Sequence, residues 1–494
     1  MSSMLPTLLP SRKICERARL ARDPRFDGRF YVAVLTTGIF CRPICPARMP
    51  MEENVRYYST PAAANEAGYR PCMRCLPEHA QLVPLWSLGS ERVVKSLQLI
   101  DSGFLNDNSV AELACRMGMS VRQLNRLFRD ELGATPKTAG KMQRVQLAKR
   151  MVDQTDLSFS QIAHAAGYGS LRRFNDEFKN VFQRNPSEVR RKLETRPVDV
   201  MRLHLPVRKP FAADFVFNFL KVRALAGLEA VSATKTGYSY SRYLGLQDGQ
   251  RLELQVHWNG DSLTVDLPQQ IGPVADILSR IRRVFDLDAD PIMIARHLGS
   301  TKRLAKIVKA HPGLRVPGAW DGFETSVRAI VGQQVSVARA TILGDRRMAT
   351  YGTGGFPTPM ELENTQPGEI GMPGKRGLAI ALLAKAVLEG AVEFDQTSEV
   401  LTKQLCAIPG IGPWTAAYIS LRVCHDPDSF PETDWVVLKQ LQTTPKKAAA
   451  LAEQWRPWRS YALMYLWCES NIVKANQVEA KQVSASRQEK QESK

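Results

Sequence analysis

Four cysteines near the start of the chain restrict its fold more than any other feature of the sequence. Cys41 and Cys45 form one closely spaced pair, and Cys72 and Cys75 form a second pair after 26 intervening residues. In a reducing compartment such clustering indicates a metal rather than disulfides. Four thiolates match the tetrahedral coordination of zinc, which holds together small domains that lack a sufficient core. We therefore predict one Zn2+ ion bound by these cysteines, and the spacing alone favours a purely structural role.

The overall charge predicts a polyanionic partner. The 494-residue chain has 67 Lys and Arg against 49 Asp and Glu, a formal charge of +18 spread along its length. This favours nucleic acid over an acidic small substrate. The sequence has no run of 18 apolar residues, and the patch from Leu5 to Leu9 is too short for a signal peptide. We expect a cytoplasmic protein of three or four domains.

The residues around the cysteines carry a more specific signal. Residues 29–37 alternate and are rich in β-branched and aromatic side chains, so a strand leads into Cys41. Three segments then resemble the metal-binding domain of the Ada family of bacterial adaptive-response proteins: TTGIFCRPICPAR at 36–48, ENVRYY at 53–58 and AGYRPCMRC at 67–75. The resemblance implies that Cys41 is both a zinc ligand and the nucleophile that takes a methyl group from a methylated phosphotriester in DNA. The other three cysteines would then be ligands only.

This resemblance has a consequence for regulation. Bound zinc keeps a cysteine sulfur in the thiolate form, which is the species that attacks carbon. Zinc with four thiolates carries a formal charge of −2, which repels DNA phosphates, and methylation of one sulfur reduces that charge to −1. We therefore expect methylation of Cys41 to tighten DNA binding. By the same resemblance, Thr37, Arg48 and Arg70 contact the DNA backbone, with solvated surface residues as the alternative interpretation.

Residues 90–195 change to a helical pattern that repeats once, at 109–136 and 159–186. In each copy, small residues precede a glycine turn, a serine can cap the next helix, and that helix is basic. Phe128 and Phe178 each lie eight residues before the proline of their copy, so the registers agree. The pair resembles the DNA-binding domain of AraC-type activators. The predicted recognition helices, 121–129 and 171–179, offer candidates for base or phosphate contacts: Arg122, Gln123, Asn125, Arg126, Arg172, Arg173 and Asn175.

A linker at 196–207 is expected to lead into an αβ unit. Residues 212–226 have a helical pattern, and residues 251–258 and 262–267 alternate as strands joined by Asn259-Gly260-Asp261, which is a hairpin signature. From about Val274 onward the pattern is continuously helical. The tail at 471–494 is polar, and we predict that it is disordered.

Within the helical region, the stretch from Leu405 to Tyr418 predicts a helix, a Pro-Gly-Ile-Gly hairpin and a second helix. Gly410 and Gly412 allow close approach of another backbone, so their N–H groups suit a phosphate. Taken alone, such a hairpin also occurs in non-enzymatic DNA-binding proteins. Together with segments 321–338, 430–435 and 455–462, it resembles AlkA-type 3-methyladenine DNA glycosylase II of the helix-hairpin-helix glycosylase superfamily.

Asp434 lies at the position of that family's catalytic carboxylate. The resemblance implies that Asp434 opposes the oxocarbenium-like sugar cation as the N-glycosidic bond breaks, and that it helps to place the attacking water. The alternative from the residues alone is an N-cap for a helix beginning at Trp435. Bifunctional members carry a lysine where this chain has Trp414, so we expect a monofunctional hydrolase without a lyase step. Cys424 and Cys468 cannot supply the four closely spaced ligands of an iron–sulfur cluster.

Aromatic residues at matched positions predict a pocket for the damaged base: Phe219, Trp414, Tyr418, Trp435 and Trp467. A purine alkylated at N3 or N7 is cationic, so aromatic ring faces favour it, and its charge makes it a good leaving group without a general acid. The base must be flipped out and the gap filled by a wedge side chain. The matching loop at 332–336 has Gln334 where AlkA-type enzymes have leucine, and Trp435 stands where a tyrosine is expected.

The sequence therefore predicts a multidomain α+β protein. Its expected domains are a small zinc-bound αβ domain at 1–85, an all-α double helix-turn-helix domain at 88–195, an αβ domain at 201–285, all-α helix-hairpin-helix glycosylase lobes at 286–470, and the polar tail. No Pro-Cys-His-Arg motif is present, so the guanine methyltransferase half of Ada is not expected.

The predicted function is DNA alkylation repair combined with adaptive-response regulation. The expected partners are double-stranded DNA, both alkylated and promoter DNA, and RNA polymerase; we expect a monomer and no membrane association. Two alternatives stay open. One is a transcription factor whose glycosylase portion is inactive, and the other is a repair enzyme whose basic domains only raise its affinity for DNA.

Overall fold

The computed structural model describes residues 9–80, 90–190, 200–245, 251–269, 271–351, 355–364 and 374–470, and the predicted tail at 471–494 lies outside them. These residues confirm a multidomain α+β protein. One expectation is corrected: the described part of the predicted linker begins with a strand at Val200, because Met201, Leu203 and Leu205 alternate into a hydrophobic core. Within the described ranges, no helix is long and apolar enough to cross a membrane.

The first unit is a small sheet covered by two helices. Its elements are α1 (Arg12–Leu20), β1 (Tyr31–Val34), β2 (Ile39–Cys41), β3 (Val55–Tyr58), α2 (Pro61–Glu66) and β4 (Arg70–Pro71). The sheet order is β3-β1-β2-β4, with β1 antiparallel to both neighbours and β2 parallel to β4. β1 lies within the predicted strand. The parallel pairing continues as Cys72 N donates to Phe40 O at 2.9 Å, which brings the two cysteine pairs together.

The second unit is entirely helical, as predicted. It consists of α3 (Glu91–Asp101), α4 (Phe104–Asp107), α5 (Val110–Arg116), α6 (Val121–Leu132), α7 (Pro136–Gln154), α8 (Phe159–Ala165), α9 (Leu171–Phe182) and α10 (Pro186–Val189). The pairs α5–α6 and α8–α9 are the two helix-turn-helix units, and α7 joins them. Ser120 and Ser170 cap α6 and α9, because each hydroxyl accepts the N–H three residues later, at 3.3 and 3.2 Å.

The third unit is a five-stranded antiparallel sheet with one helix. Its elements are β5 (Val200–Leu205), α11 (Ala213–Lys221), β6 (Glu229–Thr234), β7 (Gly237–Gly245), β8 (Arg251–Trp258) and β9 (Leu263–Pro268), with strand order β5-β9-β8-β7-β6. The predicted hairpin joins β8 to β9. Its turn is stabilised by Asn259, whose Oδ1 accepts the N–H groups of Asp261 and Ser262 at 3.0 and 2.8 Å.

The remaining elements are helices, most of which lie in two packed groups. They are α12 (Ala275–Val284), α13 (Pro291–Leu298), α14 (Ala305–Ala310), α15 (Gly322–Val331), α16 (Val337–Tyr351), α17 (Pro359–Leu362), α18 (Gly374–Leu388), α19 (Ser398–Cys406), α20 (Pro413–Val423), α21 (Trp435–Leu441), α22 (Pro445–Ala452) and α23 at 459–470. One core joins α15, α18, α19 and α20, and a second joins α13, α14 and α23. The predicted hairpin lies between α19 and α20, so it rests on the first core.

Polar contacts join the units to one another. Arg29, next to β1, forms an ion pair with Asp290, the N-cap of α13. The carboxylate of Glu91 in α3 accepts the backbone N–H of Ser398, at the start of α19, at 2.9 Å. The metal-binding unit and the helix-turn-helix unit therefore both contact the C-terminal helices, and α19 of the hairpin motif is itself one of the contact points.

Candidate functional site

The four predicted metal ligands converge. Cys41 ends β2, Cys45 follows in the next turn, and Cys72 and Cys75 come directly after β4. Their sulfur atoms all lie within 4.8 Å of one another. Tetrahedral zinc with Zn–S bonds of about 2.3 Å needs sulfurs about 3.8 Å apart, so the cluster fits the ion. The zinc prediction is confirmed.

Cys41 differs from the other three ligands in its surroundings. Cys45, Cys72 and Cys75 are buried, whereas Cys41 is partly exposed. The backbone N–H of Arg42 donates to the sulfur of Cys75 at 3.3 Å, and that of Arg74 donates to Cys72 at 3.4 Å. Hydrogen bonds to a thiolate stabilise its charge and so reduce its tendency to attack. Cys41 is therefore the ligand that combines access to solvent with a sulfur to which neither amide donates.

The residues expected to contact the DNA backbone lie at the surface or edge of the same unit. Thr37 is exposed in the turn between β1 and β2, and Arg48 is exposed in the following loop. Arg70 is half-buried in β4, and its N–H donates to Gly38 O at 2.9 Å, so it is adjacent to the turn that holds Thr37. Their role in DNA binding stays a prediction.

The two recognition helices present matching surfaces. Leu124 and Phe128 of α6 and Phe174 and Phe178 of α9 occupy equivalent positions and are fully buried. The opposite faces carry the candidate contact residues, of which Asn125 and Asn175 are half-buried and the rest are exposed: Arg122, Gln123, Arg126, Arg172 and Arg173. The side-chain oxygen of Gln123 accepts the N–H of Ser120 at 2.9 Å. This oxygen therefore takes part in the helix cap, and the NH2 group of Gln123 is the part that could donate to DNA.

Asp434 is buried beside α20, α21 and α23, with only 4% of its surface exposed. Its Oδ1 accepts the N–H of Val437 at 2.9 Å, so it is the N-cap of α21. The same carboxylate accepts two indole N–H groups, from Trp414 to Oδ2 at 3.0 Å and from Trp467 to Oδ1 at 3.1 Å. The cap and the catalytic interpretation of Asp434 are therefore compatible, because the cap fixes the carboxylate next to the aromatic residues.

Three of the five predicted pocket aromatics form one cluster. Trp414 and Tyr418 stack, with ring centroids 5.6 Å apart and planes 5° apart, and Tyr418 lies 6.3 Å from Trp467. Trp435 is not brought into this cluster. It is 65% exposed, with the Lys439 Nζ 5.1 Å from its ring centroid, because it follows the cap residue at the exposed end of α21.

Phe219 is connected to the cluster by two arginines that the sequence analysis did not select. Arg422 donates to the Tyr418 hydroxyl at 2.8 Å, and its guanidinium lies 4.9 Å from the Phe219 ring centroid. Arg223 lies 3.7 Å from the same centroid. Burial raises the pKa of Tyr418, but the nearby charges of Arg422 and Arg223 lower it more, so its net shift is downward. The helical spacing of Tyr418 and Arg422 was the available signal.

The hairpin and the wedge loop are hydrogen-bonded to each other. Gln333 donates through Nε2 to Gly410 O at 2.9 Å and to the Thr415 hydroxyl at 3.1 Å, a connection that the sequence analysis missed. The next residue, Gln334, is exposed with φ +53°, which places it at the tip of the loop in a conformation that is costly for a non-glycine residue. Gly410 has φ +93°, and a Cβ there would lie 2.8 Å from the Cβ of Ala379.

These features define a class of DNA-binding protein that joins a four-cysteine zinc unit, paired helix-turn-helix units and a helix-hairpin-helix fold with a buried aspartate. Family models match three regions of the chain: the metal-binding domain of Ada matches residues 14–78, a helix-turn-helix domain matches 113–192, and the AlkA N-terminal domain matches 202–321.

The particular family follows from a relative that matches most of the chain, and two further relatives match parts of it. A probable bifunctional transcriptional activator/DNA repair enzyme AlkA from Mycobacterium tuberculosis is 36% identical over 476 residues, which cover 92% of this chain and 95% of the relative. DNA-3-methyladenine glycosylase 2 of Escherichia coli is 35% identical over 52% of this chain and 94% of its own length. The bifunctional activator and repair enzyme Ada of Escherichia coli is 42% identical over 24% of this chain and 32% of its own length. The chain belongs to the family of bifunctional transcriptional activator/DNA repair enzymes of the AlkA type.

Proposed function

We propose that this protein removes alkylated purines of the 3-methyladenine type from DNA and accepts methyl groups from DNA phosphotriesters on Cys41. The observation that carries the first activity is the buried Asp434 carboxylate, held by two tryptophans beside a helix-hairpin-helix motif. The proposed domains are those expected from the sequence, at 1–85, 88–195, 201–285 and 286–470.

Base removal would proceed by hydrolysis of the N-glycosidic bond. The bond electrons leave with the base, which loses its positive charge, so the leaving group needs no proton. The carboxylate of Asp434 opposes the cationic sugar, and water adds at C1′ and gives its proton to the carboxylate or to solvent. The stacked faces of Trp414 and Tyr418 would hold the flipped base. Since Trp414 replaces the lysine of bifunctional enzymes, the product is an intact abasic strand.

Methyl acceptance would be a single transfer. The Cys41 sulfur attacks the methyl carbon, the carbon–oxygen bond breaks, and the electron pair stays on the phosphate oxygen, which converts the triester to a diester. Zinc, when bound by the four cysteines, would keep the attacking sulfur in its thiolate form. Partial exposure of Cys41 supports this assignment, because the sulfur must reach a phosphate on the duplex surface.

The same transfer would act as a regulatory switch. It removes one negative charge from a site that faces DNA, which strengthens binding to the phosphate backbone. The exposed faces of α6 and α9 would then read promoter DNA, with RNA polymerase as the recruited partner of a monomeric, cytoplasmic protein. Gln334 would fill the space left by the flipped base, and Gly410 and Gly412 would contact the phosphate.

A base-release assay tests the glycosylase proposal. Methylated duplex DNA is incubated with the wild-type chain and with Asp434→Asn, and the released bases are identified by mass spectrometry. We expect 3-methyladenine from the wild type and far less from the variant. Equal release by both proteins, or none from either, would instead support a transcription factor with an inactive glycosylase portion.

Promoter binding tests the switch. The chain is methylated with DNA that contains methylphosphotriesters, and the modified residue is identified by peptide mass spectrometry. We expect one methyl group on Cys41 and tighter binding to promoter DNA than before methylation. Binding that is indifferent to methylation would favour a repair enzyme without a regulatory role.

A further inference from the structure

The carboxylate of Asp434 is surrounded by N–H donors from three separate positions. Trp414 donates to Oδ2, whereas Trp467 and the backbone of Val437 donate to Oδ1. Val437 belongs to the cap of α21, but the two tryptophans come from α20 and α23. Oδ1 therefore accepts two hydrogen bonds and Oδ2 accepts one, so Oδ2 keeps more of its acceptor capacity for a water or a sugar.

These donors are all neutral. Among the described residues, no lysine, arginine or histidine forms an ion pair with Asp434, although only 4% of its surface is exposed. Burial of a carboxylate without a charged partner is costly unless hydrogen bonds stabilise the charged form. The indole N–H groups of Trp414 and Trp467 supply two of the three hydrogen bonds that the Asp434 carboxylate accepts.

Neutral donors suit a carboxylate that must oppose a cation. A lysine or arginine paired with Asp434 would cancel the negative charge that the cationic sugar meets, whereas an indole N–H orients the carboxylate and leaves its charge intact. The rings of the same two residues also belong to the aromatic cluster, since Trp414 stacks on Tyr418 and the Trp467 ring lies 6.3 Å from that of Tyr418. One side chain thus contributes its face to the pocket and its edge to the carboxylate.

We propose that Trp414 and Trp467 are positioning residues that act through Asp434, in addition to any stacking on the base. Their N–H groups hold the carboxylate in place for the sugar cation. This inference rests on the proposed glycosylase function, and it assigns to the N–H edge a role that stacking alone does not require.

The test compares two DNA duplexes that differ only in the charge of one residue. In one duplex a sugar is replaced by a pyrrolidine, which carries a positive charge where the sugar cation would form; in the other it is replaced by neutral tetrahydrofuran. The measured quantity is the ratio of the two dissociation constants, obtained by fluorescence anisotropy with the full-length protein. Because both constants come from one preparation, loss of folded protein affects them equally and leaves the ratio unchanged.

We expect the wild type to prefer the cationic duplex and Asp434→Asn to lose that preference. Trp414→Phe and Trp467→Phe keep an aromatic ring but lack the N–H group, and each should reduce the preference about tenfold. The matched control is Trp455→Phe, because Trp455 is fully buried and its Nε1 has no hydrogen-bond partner in the described residues. This control should keep the wild-type preference.

The possible outcomes distinguish the positioning role of the tryptophans from the proposed glycosylase function. A wild-type preference that survives both Trp414→Phe and Trp467→Phe overturns the positioning role while leaving the glycosylase proposal intact. Equal weakening on both duplexes also overturns it, because loss of stacking or shape does not discriminate charge. If the wild type itself shows no preference, the role of Asp434 toward the sugar cation fails, and the positioning role fails with it.

Discussion

The site around Cys41 and the site around Asp434 are built in opposite ways. The four sulfurs come from residues 41–75 and from one small sheet. The Asp434 cluster takes its residues from α11, α20, α21 and α23. These residues are spread along the chain from Phe219 to Trp467. A local site depends mainly on its metal, whereas a dispersed site depends on the packing of the whole C-terminal region. Loss of the metal and loss of packing should therefore affect the two activities differently.

Access differs between the two sites as well. Cys41 is partly exposed, so a phosphate on the duplex surface can reach it without deformation of the DNA. Asp434 is almost fully buried, so a nucleotide must leave the stack to meet it. The contrast matches the two proposed reactions. Methyl transfer uses up Cys41 in a single reaction, whereas base removal at Asp434 requires repeated binding and release of DNA.

Zinc removal should give the largest effect and should be confined to one site. A strong chelator removes about 10–16 kcal/mol of coupled binding and folding free energy in small zinc domains, so residues 9–80 should become sensitive to protease. Base release should fall by less than about fivefold, because the hydrophobic cores beneath the hairpin and α23 contain no residue of this unit. Limited proteolysis and base release on the same sample check both statements. A loss of base release as complete as the loss of protease resistance would show that the two sites are not independent.

Reciprocal substitutions come next in size. Asp434→Asn should lower the rate of base release by about 10²–10³-fold, the usual cost of losing one group that stabilises charge in a transition state. Methyl transfer to Cys41 should continue at the wild-type rate. Cys41→Ser should do the reverse, which single-turnover assays of both reactions would measure. A large effect of either substitution on the other reaction would contradict the separation.

A substitution in the hairpin tests how strongly the dispersed site depends on backbone shape. Gly410→Ala should destabilise the fold by about 1–3 kcal/mol, because alanine is strained at φ +93° and its Cβ would lie 2.8 Å from the Cβ of Ala379. The matched control is Gly412→Ala, where φ is −85° and no atom lies within 4 Å of the added carbon. Thermal unfolding measures the stability of both variants. Equal stability of the two variants would contradict a steric effect at Gly410.

The last expected effect, similar in size to that of Gly410→Ala, concerns the contact between the helix-turn-helix unit and the C-terminal helices. Lys95 of α3 is 8% exposed, its ammonium lies 3.5 Å from Phe394 O, and burial lowers its pKa to about 8. The unfolded chain therefore holds this proton up to a higher pH than the folded chain, so stability rises with pH from about 8 to about 10.5.

Replacement of this lysine removes that dependence. Lys95→Met should stabilise the protein at pH 7 by about 1–3 kcal/mol and should flatten the rise in stability above pH 8. Denaturant unfolding at a series of pH values measures the slope. An unchanged slope in the variant would assign the pH dependence to other groups.

The sequence predicted the two sites unequally for physical reasons. The four cysteines lie close together in the sequence, within residues 41–75, so their spacing alone predicts the zinc ligands. Asp434 was chosen by its position after the hairpin, but its two indole donors lie 20 and 33 positions away along the chain and were expected only to stack. Trp435 has an aromatic side chain of the kind that lines a base pocket, but its position at the start of α21 exposes it to solvent.

By itself, the sequence determined the order of the units, the zinc ligands, the paired helix-turn-helix register and the hairpin, because each depends on short-range spacing or helical periodicity. The tertiary structure decided which aromatic side chains meet, that Gln333 ties the wedge loop to the hairpin, and that Arg422 and Arg223 lie against Phe219. Those contacts join residues far apart in the chain. They arise because several helices pack together, and no local sequence pattern predicts that packing.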